Sequence, residues 1–231
     1  MGRIVSSALG VLLLLVGCAV LSHAQVPPSW AERSGYTGLL AAAARGDAVQ
    51  IKHLTSKGEK TDVKDGFGRT PLHVAVFLGH HETMRELVAA GADPNALEND
   101  RYDIVTIAAA ANDVPALEVA LALGASAKNI TSRYDGTALI AAAHLGHAEA
   151  VRTLIRAGAP LDHVNNLGWT ALLESIVLGD GGPRHTETLR ALVEAGANVN
   201  LTDRTGQTPL GLARARGYGA MVSILQDAGA R

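Results

Sequence analysis

The residues of this chain that could do chemistry are nine histidines, one cysteine and 22 acidic residues. The segment His81-Glu82-Thr83-Met84-Arg85 begins like a zinc-peptidase motif, but Arg85 stands where that motif needs a second histidine. Gly66-Phe67-Gly68 begins like a dinucleotide-binding turn, but it continues to Pro71 where that motif has glycine or alanine. The sequence contains no Gly-x-Ser-x-Gly motif and no Gly-Lys-Ser/Thr phosphate loop. We therefore predict no catalytic residue, no metal site and no cofactor.

The cysteine, Cys18, lies in an N-terminal stretch with the layout of a secretory signal. Arg3 supplies the positive charge, an apolar run follows, and Ser22-His23-Ala24 forms a small-x-small cleavage site before Gln25. The apolar run is shorter than the roughly 20 residues of a membrane-spanning helix. We predict a signal peptide over 1–24 and a periplasmic or secreted bacterial protein. An alternative is a lipoprotein acylated at Cys18, because Leu15-Val16-Gly17-Cys18 resembles the lipoprotein recognition box.

Composition limits the remaining possibilities. Of the 231 residues, 48% are hydrophobic and 18% charged, so the chain can bury a core. The net charge of −2 gives no electrostatic reason to expect a nucleic acid or an anionic membrane as partner. Only 3% of the residues are aromatic, which favours a core of Ala, Leu and Val between closely packed helices.

An internal period of about 33 residues organises the chain from Tyr36 onward. Each unit has an anchor residue, and the six anchors are Thr37, Thr70, Asp103, Thr137, Thr170 and Thr208. A leucine or valine follows two positions after each anchor, and glycine or asparagine follows nine positions after it, where a first helix is expected to end. A second helix is then predicted up to a further glycine, because its apolar residues recur three or four positions apart. Gly181-Gly182-Pro183 lengthens the turn between the two helices of the fifth unit.

These recurring positions resemble those of the ankyrin repeat. Its signature is read directly as Thr70-Pro71-Leu72-His73-Val74-Ala75 and, in the last unit, as Thr208-Pro209-Leu210. The third unit departs from the signature, and Pro115 enters its second helix, where a first-turn proline is tolerated. The resemblance implies an all-α solenoid of about six helix-turn-helix repeats with short β-hairpin loops. The expected divisions are a lead-in over 25–35 and a repeat domain over 36–231, with repeats at about 37–69, 70–102, 103–136, 137–169, 170–207 and 208–231.

The resemblance also implies where a partner binds, because ankyrin stacks generally use the hairpin tips and the exposed side of the first helices. The predicted partner-binding residues are Tyr36, Arg45, Phe67, Arg69, Phe77, Leu78, Tyr102, Tyr134, His144, Trp169 and Gln207. Aromatic residues and arginine dominate interface energetics, so Tyr102 and Trp169 in particular are expected to contact a partner. For Phe77, Leu78, Leu145 and Leu178, packing between repeats is an equal alternative. The family resemblance implies a bracing role for His73, whose ring hydrogen-bonds neighbouring backbone.

Two functions remain open at this point. The first is a monomeric, non-catalytic module that binds an unidentified protein through the concave face. The second is a structural or scaffold protein of the cell envelope, tethered to the membrane by acylated Cys18.

Overall fold

The computed structural model describes residues 27–231. The predicted signal peptide, Cys18 and Gln25 lie outside these residues. A short helix, α1 (Trp30–Ser34), precedes twelve helices that form six consecutive pairs. The pairs are α2 (Gly38–Arg45) with α3 (Ala48–Ser56), α4 (Pro71–Phe77) with α5 (His81–Ala89), α6 (Ile104–Ala110) with α7 (Val114–Ala122), α8 (Ala138–His144) with α9 (Ala148–Arg156), α10 (Ala171–Val177) with α11 (Pro183–Glu194), and α12 (Pro209–Ala215) with α13 (Gly219–Asp227).

The pairs stack in chain order. First helices pack on first helices, as α4 does on α2 and α6, and second helices pack on second helices, as α9 does on α7 and α11. Within the described part of the chain there is no β-sheet; an isolated bridge joins Thr131 and Gly136. The predicted all-α solenoid is confirmed.

Anchor residues start the first helices because their side chains satisfy free backbone donors. Thr70 accepts from the His73 N–H, and Asp103, which replaces threonine in the third unit, accepts from the Thr106 N–H at 2.8 Å. Thr137, Thr170 and Thr208 do the same in their units, whereas the side chain of Thr37 makes no such bond. The departure at Asp103 therefore preserves the cap.

Residues in the left-handed backbone conformation end the helices as predicted, with one exception. Every second helix is followed by a glycine with φ between 79° and 95°, and most first helices by a glycine or by Asn112. In the fifth unit the left-handed residue of the turn is Gly181, with φ of 69°, and not Gly179. Because the turn of the fifth unit is longer, the left-handed residue at which the chain reverses lies two positions later than in the other units. Pro115 lies in the first turn of α7, which confirms that the helix accommodates it.

The core consists mainly of alanine and leucine between the stacked helices. The residues two positions after the anchors are all at most 3% exposed: Leu39, Leu72, Val105, Leu139, Leu172 and Leu210. Alanines at the same depth allow neighbouring helix pairs to approach closely. Residues 27–231 contain no helix with the length and apolarity needed to cross a membrane.

Candidate partner-binding face

The hairpins between successive helix pairs are held in shape by a polar side chain five positions before each anchor. In the first hairpin, Asp65 Oδ1 accepts the backbone N–H groups of Phe67 and Arg69, both at 2.9 Å. Glu98, Asn165 and Asp203 each accept two backbone N–H groups in the same way, and Ser132 accepts one. These bonds fix the conformation of each hairpin tip independently of any partner.

Neighbouring tips are also bonded to one another. The Asn99 N–H donates to the Phe67 carbonyl at 3.1 Å, and the Asn166 N–H donates to the Tyr134 carbonyl at 2.9 Å. The side chains of both asparagines add bonds to the preceding hairpin. The tips therefore form a preorganised row, which lowers the entropy lost when a partner binds.

We call this row, together with the exposed ends of the first helices, the hairpin-helix face. The face carries most of the exposed large hydrophobic side chains of residues 27–231: Phe67, Ile130, Val164, Leu167 and Leu178. Phe67 is 49% exposed and Leu178 is 44% exposed. Trp30 in α1 and Val49 in α3 are exposed elsewhere. Single exposed apolar residues are ordinary, but several of them on one preorganised face are typical of a binding surface.

Arg69 does not belong to the exposed part of this face. Its side chain is buried, its Nε donates to Asp65 Oδ2 at 2.7 Å, and its guanidinium also contacts Glu32 and the Tyr36 hydroxyl. Two carboxylates hold this cation inside the hairpin, and the Phe67 ring covers it at 4.6 Å. The prediction that Arg69 contacts a partner is corrected: it joins α1 to the first hairpin.

Tyr36 and Asp65 complete that network. The Tyr36 hydroxyl donates to Asp65 Oδ2 at 2.6 Å, and burial together with this bond raises the pKa of Tyr36 well above its usual value. Burial alone would raise the pKa of Asp65, but the hydrogen bonds from Tyr36 and Arg69 hold it below its usual value. An open cavity of about 410 Å³ lies beside the network, lined by α1 and by Phe67.

Tyr102 is likewise corrected. Its side chain is 5% exposed and belongs to the apolar core, while its backbone N–H donates to Glu98 Oε1 at 2.9 Å. The Tyr102 carbonyl lies 3.3 Å from His73 Nε2, so the residue is held from both sides. Burial of the ring stabilises the hairpin and leaves little surface for a partner.

The other predicted residues divide by exposure. Half-buried side chains are those of Tyr36, Phe77, Leu78, Tyr134 and Trp169, and all of these except Tyr134 pack against the core. Exposed side chains are those of Arg45, Phe67, His144 and Gln207. Leu178, for which packing and exposure were equal alternatives, is exposed, whereas Leu145 is half-buried.

Sequence reasoning missed Leu167, Ile130 and Val164. Leu167 stands three positions before its anchor, as Phe67 does, so alignment of the repeats could have identified it.

Sequence reasoning also missed a buried carboxylate, that of Glu174, beneath His144. Asn165 Nδ2 donates to Glu174 Oε1 at 2.9 Å, and His144 Nδ1 lies 3.2 Å from Glu174 Oε2.

No group of three or more His, Cys, Asp or Glu side chains within residues 27–231 has an arrangement that could hold a metal ion.

Comparison with known proteins identifies the family. A family model described as ankyrin repeats (3 copies) matches residues 6–98 and 105–203, and a second model, ankyrin repeats (many copies), matches residues 183–226. The chain belongs to the ankyrin repeat family, which confirms the resemblance seen in the sequence. Ankyrin repeat proteins are generally non-catalytic modules that bind other proteins.

Individual relatives support this assignment. The putative ankyrin repeat protein YahD of Escherichia coli (strain K12) is 33% identical over 83% of this chain and 95% of its own length. The crystal structure of an ankyrin repeat domain from Acinetobacter baumannii AYE is 46% identical, with a TM-score of 0.78 over 84% of this chain and 98% of that domain. The ankyrin repeat domain of Bcl-3, a unique member of the IkappaB protein family, is 28% identical, with a TM-score of 0.76 over 85% of this chain and 88% of that domain.

Proposed function

We propose that this chain is an exported, non-catalytic protein that binds one partner protein through the hairpin-helix face. The observation that carries the proposal is the exposed apolar side chains of this face, of which Phe67 and Leu167 lie on hairpin tips that are already bonded to neighbouring tips. Partner binding would remove this apolar surface from water without having to order the loops that present it.

Stacked repeats favour such a site. A small rotation between successive helix pairs curves a solenoid, and the hairpins and first helices then line one extended surface that a protein segment can follow. Aromatic and aliphatic side chains spaced along that surface act as separate contact points. On this chain the contact points would be the exposed Phe67, Leu167 and Leu178, together with the half-buried Tyr134 and Trp169.

Affinity capture from the cell envelope tests the proposal. The bait is the chain from Gln25 onward, compared with a face variant carrying Phe67→Ala, Leu167→Ala and Leu178→Ala. These side chains are exposed, so the face variant is expected to keep the circular dichroism spectrum of wild type and to lose the captured partner by at least about tenfold.

A matched control variant carries Trp30→Ala and Val49→Ala, which remove exposed apolar side chains outside the face. It is expected to capture as much partner as wild type. Capture that the control variant loses and the face variant keeps would move the binding site to the surface formed by α1 and α3.

Export is part of the proposal and is tested separately. Expression of the full chain in a bacterium, followed by fractionation and intact-mass measurement, should give a periplasmic or secreted species that begins at Gln25. A membrane-bound species that begins at an acylated Cys18 would favour the lipid-tethered alternative. An uncleaved species in the cytoplasm would contradict export.

A further inference from the structure

A glutamate occupies the core-facing column of the fifth unit. Glu174 lies four positions after its anchor and is 3% exposed. The corresponding residues of the other units carry no charge: Ala41, Val74, Ile107, Ala141 and Leu212. The repeat fold therefore does not need a carboxylate at this position, and an apolar residue serves it in every other unit.

Glu174 is only partly neutralised by its surroundings. Its Oε1 accepts from Asn165 Nδ2 at 2.9 Å, and Asn165 is itself fixed because its Oδ1 accepts two backbone N–H groups of the hairpin. The other oxygen, Oε2, is buried and accepts no hydrogen bond within the described residues. His144 Nδ1 is 3.2 Å from it but outside hydrogen-bond geometry.

Two permanent cations on the neighbouring elements are bonded to backbone carbonyls instead of Glu174. Arg184 of α11 contacts the Leu145 carbonyl, and Arg216, directly after α12, donates to the Val177 carbonyl at 3.4 Å. Among the described residues, only the His144 side chain lies within ion-pair distance of Glu174. A buried carboxylate without a permanent cation is unfavourable, because the charge has lost its hydration and gained no fixed counterion.

His144 covers this carboxylate from the solvent side. It is the last residue of α8, and its side chain is 48% exposed, so the ring can change rotamer without disturbing the core. Rotation of the ring away from Glu174 would open Oε2 to the hairpin-helix face. Asn165 would hold the carboxylate in place as the ring moves.

We propose that Glu174 is the acceptor for a basic side chain, Lys or Arg, of the bound protein, with Asn165 as its positioning residue and His144 as its cover. The inference rests on the proposed function, since it assigns one specific contact to the same face. The partner's cation takes the place of the His144 ring next to Glu174 Oε2. It supplies the permanent positive charge that Glu174 lacks within this chain. An ion pair shielded from water in this way gives specificity as well as affinity.

Selection from a random dodecapeptide library displayed on phage tests the inference without knowledge of the natural partner. Wild type is the bait, and peptides whose binding is lost with the face variant are retained. These peptides are expected to share a Lys or Arg, and Glu174→Gln should weaken their binding by at least about tenfold. Replacement of that basic residue by Met should weaken binding to wild type but not to Glu174→Gln.

The matched control is Glu149→Gln, which removes an equal charge from an exposed position of α9. It should leave peptide binding unchanged. Glu174→Gln should also unfold at the same temperature as wild type or higher, because glutamine keeps the bond from Asn165 and offers His144 Nδ1 a donor. A midpoint several degrees lower would assign Glu174 to structure and overturn the inference.

The remaining outcomes separate the two proposals. Peptides that bind the face but lack a shared basic residue, or that bind Glu174→Gln as tightly as wild type, would overturn the role of Glu174 and leave the proposed function in place. If no selected peptide depends on the face, both proposals fail.

Discussion

At the scale of single residues, His73 shows how the repeat signature uses a neutral ring. The side chain is fully buried, Nδ1 accepts from the Thr70 N–H at 3.2 Å, and Nε2 lies 3.3 Å from the Tyr102 carbonyl, to which it donates. Burial lowers the pKa of His73 to about 4, although its bonds to backbone carbonyls oppose that shift. A proton on Nδ1 would also lie against the N–H of Thr70. The neutral ring therefore caps α4 and joins two repeats, and protonation would remove its bond from the Thr70 N–H.

This arrangement predicts a loss of stability in acid. The unfolded chain takes up a proton on His73 near pH 6.5 and the folded chain only near pH 4, so the unfolded state binds more protons in this window. The free energy of unfolding should fall by on the order of 3 kcal/mol as the pH decreases from 6.5 to 4. Urea titrations at several pH values measure this slope.

His73→Gln is the matching variant. It should be less stable than wild type at pH 7, by about 1 to 3 kcal/mol, because one repeat contact is weakened. Its stability should change less between pH 6.5 and 4. A residual slope is expected from His147, whose pKa burial also lowers. Equal slopes for wild type and variant would contradict the assignment to His73.

At the scale of elements, the turns between the first and second helices of the later units bond each of these helix pairs to the one before it. His147 Nδ1 lies 3.1 Å from the Ala109 carbonyl, and the Tyr218 hydroxyl donates to the Gly179 carbonyl at 2.9 Å. These carbonyls lie at or just beyond the ends of first helices, where backbone acceptors lack helical partners. The inserted turn of the fifth unit is therefore packed against the sixth unit.

The inserted turn makes Gly181 a specific requirement. Its φ is 69°, and an added Cβ would lie 2.3 Å from the Tyr218 ring. Gly206 has a φ of 80° but open space around the Cβ position, so it is a control for backbone strain alone. Gly206→Ala should lower the free energy of unfolding by about 1 to 2 kcal/mol. Gly181→Ala should cost at least about 1 kcal/mol more, because the Tyr218 ring must move.

Urea unfolding of the two variants measures the difference. Equal destabilisation would mean that the sixth unit accommodates the added methyl group, and that the contact with Tyr218 contributes little to the stacking of the last two units.

At the scale of the whole molecule, helix packing runs between neighbouring pairs, so stability is expected to be a sum of local and nearest-neighbour terms. Leu225 in the last pair and Leu139 in the fourth are both fully buried. Each change to alanine should remove about 2 to 5 kcal/mol of local packing. The consequences should differ, since a terminal pair can open without its neighbours and an internal pair cannot.

Hydrogen exchange followed by mass spectrometry tests this difference. Leu225→Ala should raise exchange within α12 and α13 and leave the preceding units protected. Leu139→Ala should lower protection on both sides of the fourth pair. A uniform rise in exchange with Leu225→Ala would show that the six pairs unfold as one cooperative unit.

The sequence by itself determined the family, the six helix pairs and nearly all of their ends. Thr70 and its counterparts cap a helix through bonds to residues three positions away, and a left-handed glycine ends one through its own backbone. Such local effects recur wherever the residue type recurs at the same position of the repeat. The left-handed residue of the turn in the fifth unit was not predicted correctly, because the insertion makes Gly181 and not Gly179 reverse the chain.

Only the tertiary structure decided which side chains of the face are available. Arg69, Tyr102 and Gln207 share one column of the repeat, yet the first two are buried and the third is exposed. The difference arises from what each side chain meets: Arg69 has two carboxylates, Tyr102 has an apolar core, and Gln207 has neither. The same holds for the buried Glu174 oxygen that accepts no hydrogen bond beneath His144, because its burial and pairing depend on Asn165 and His144, 9 and 30 residues away in sequence.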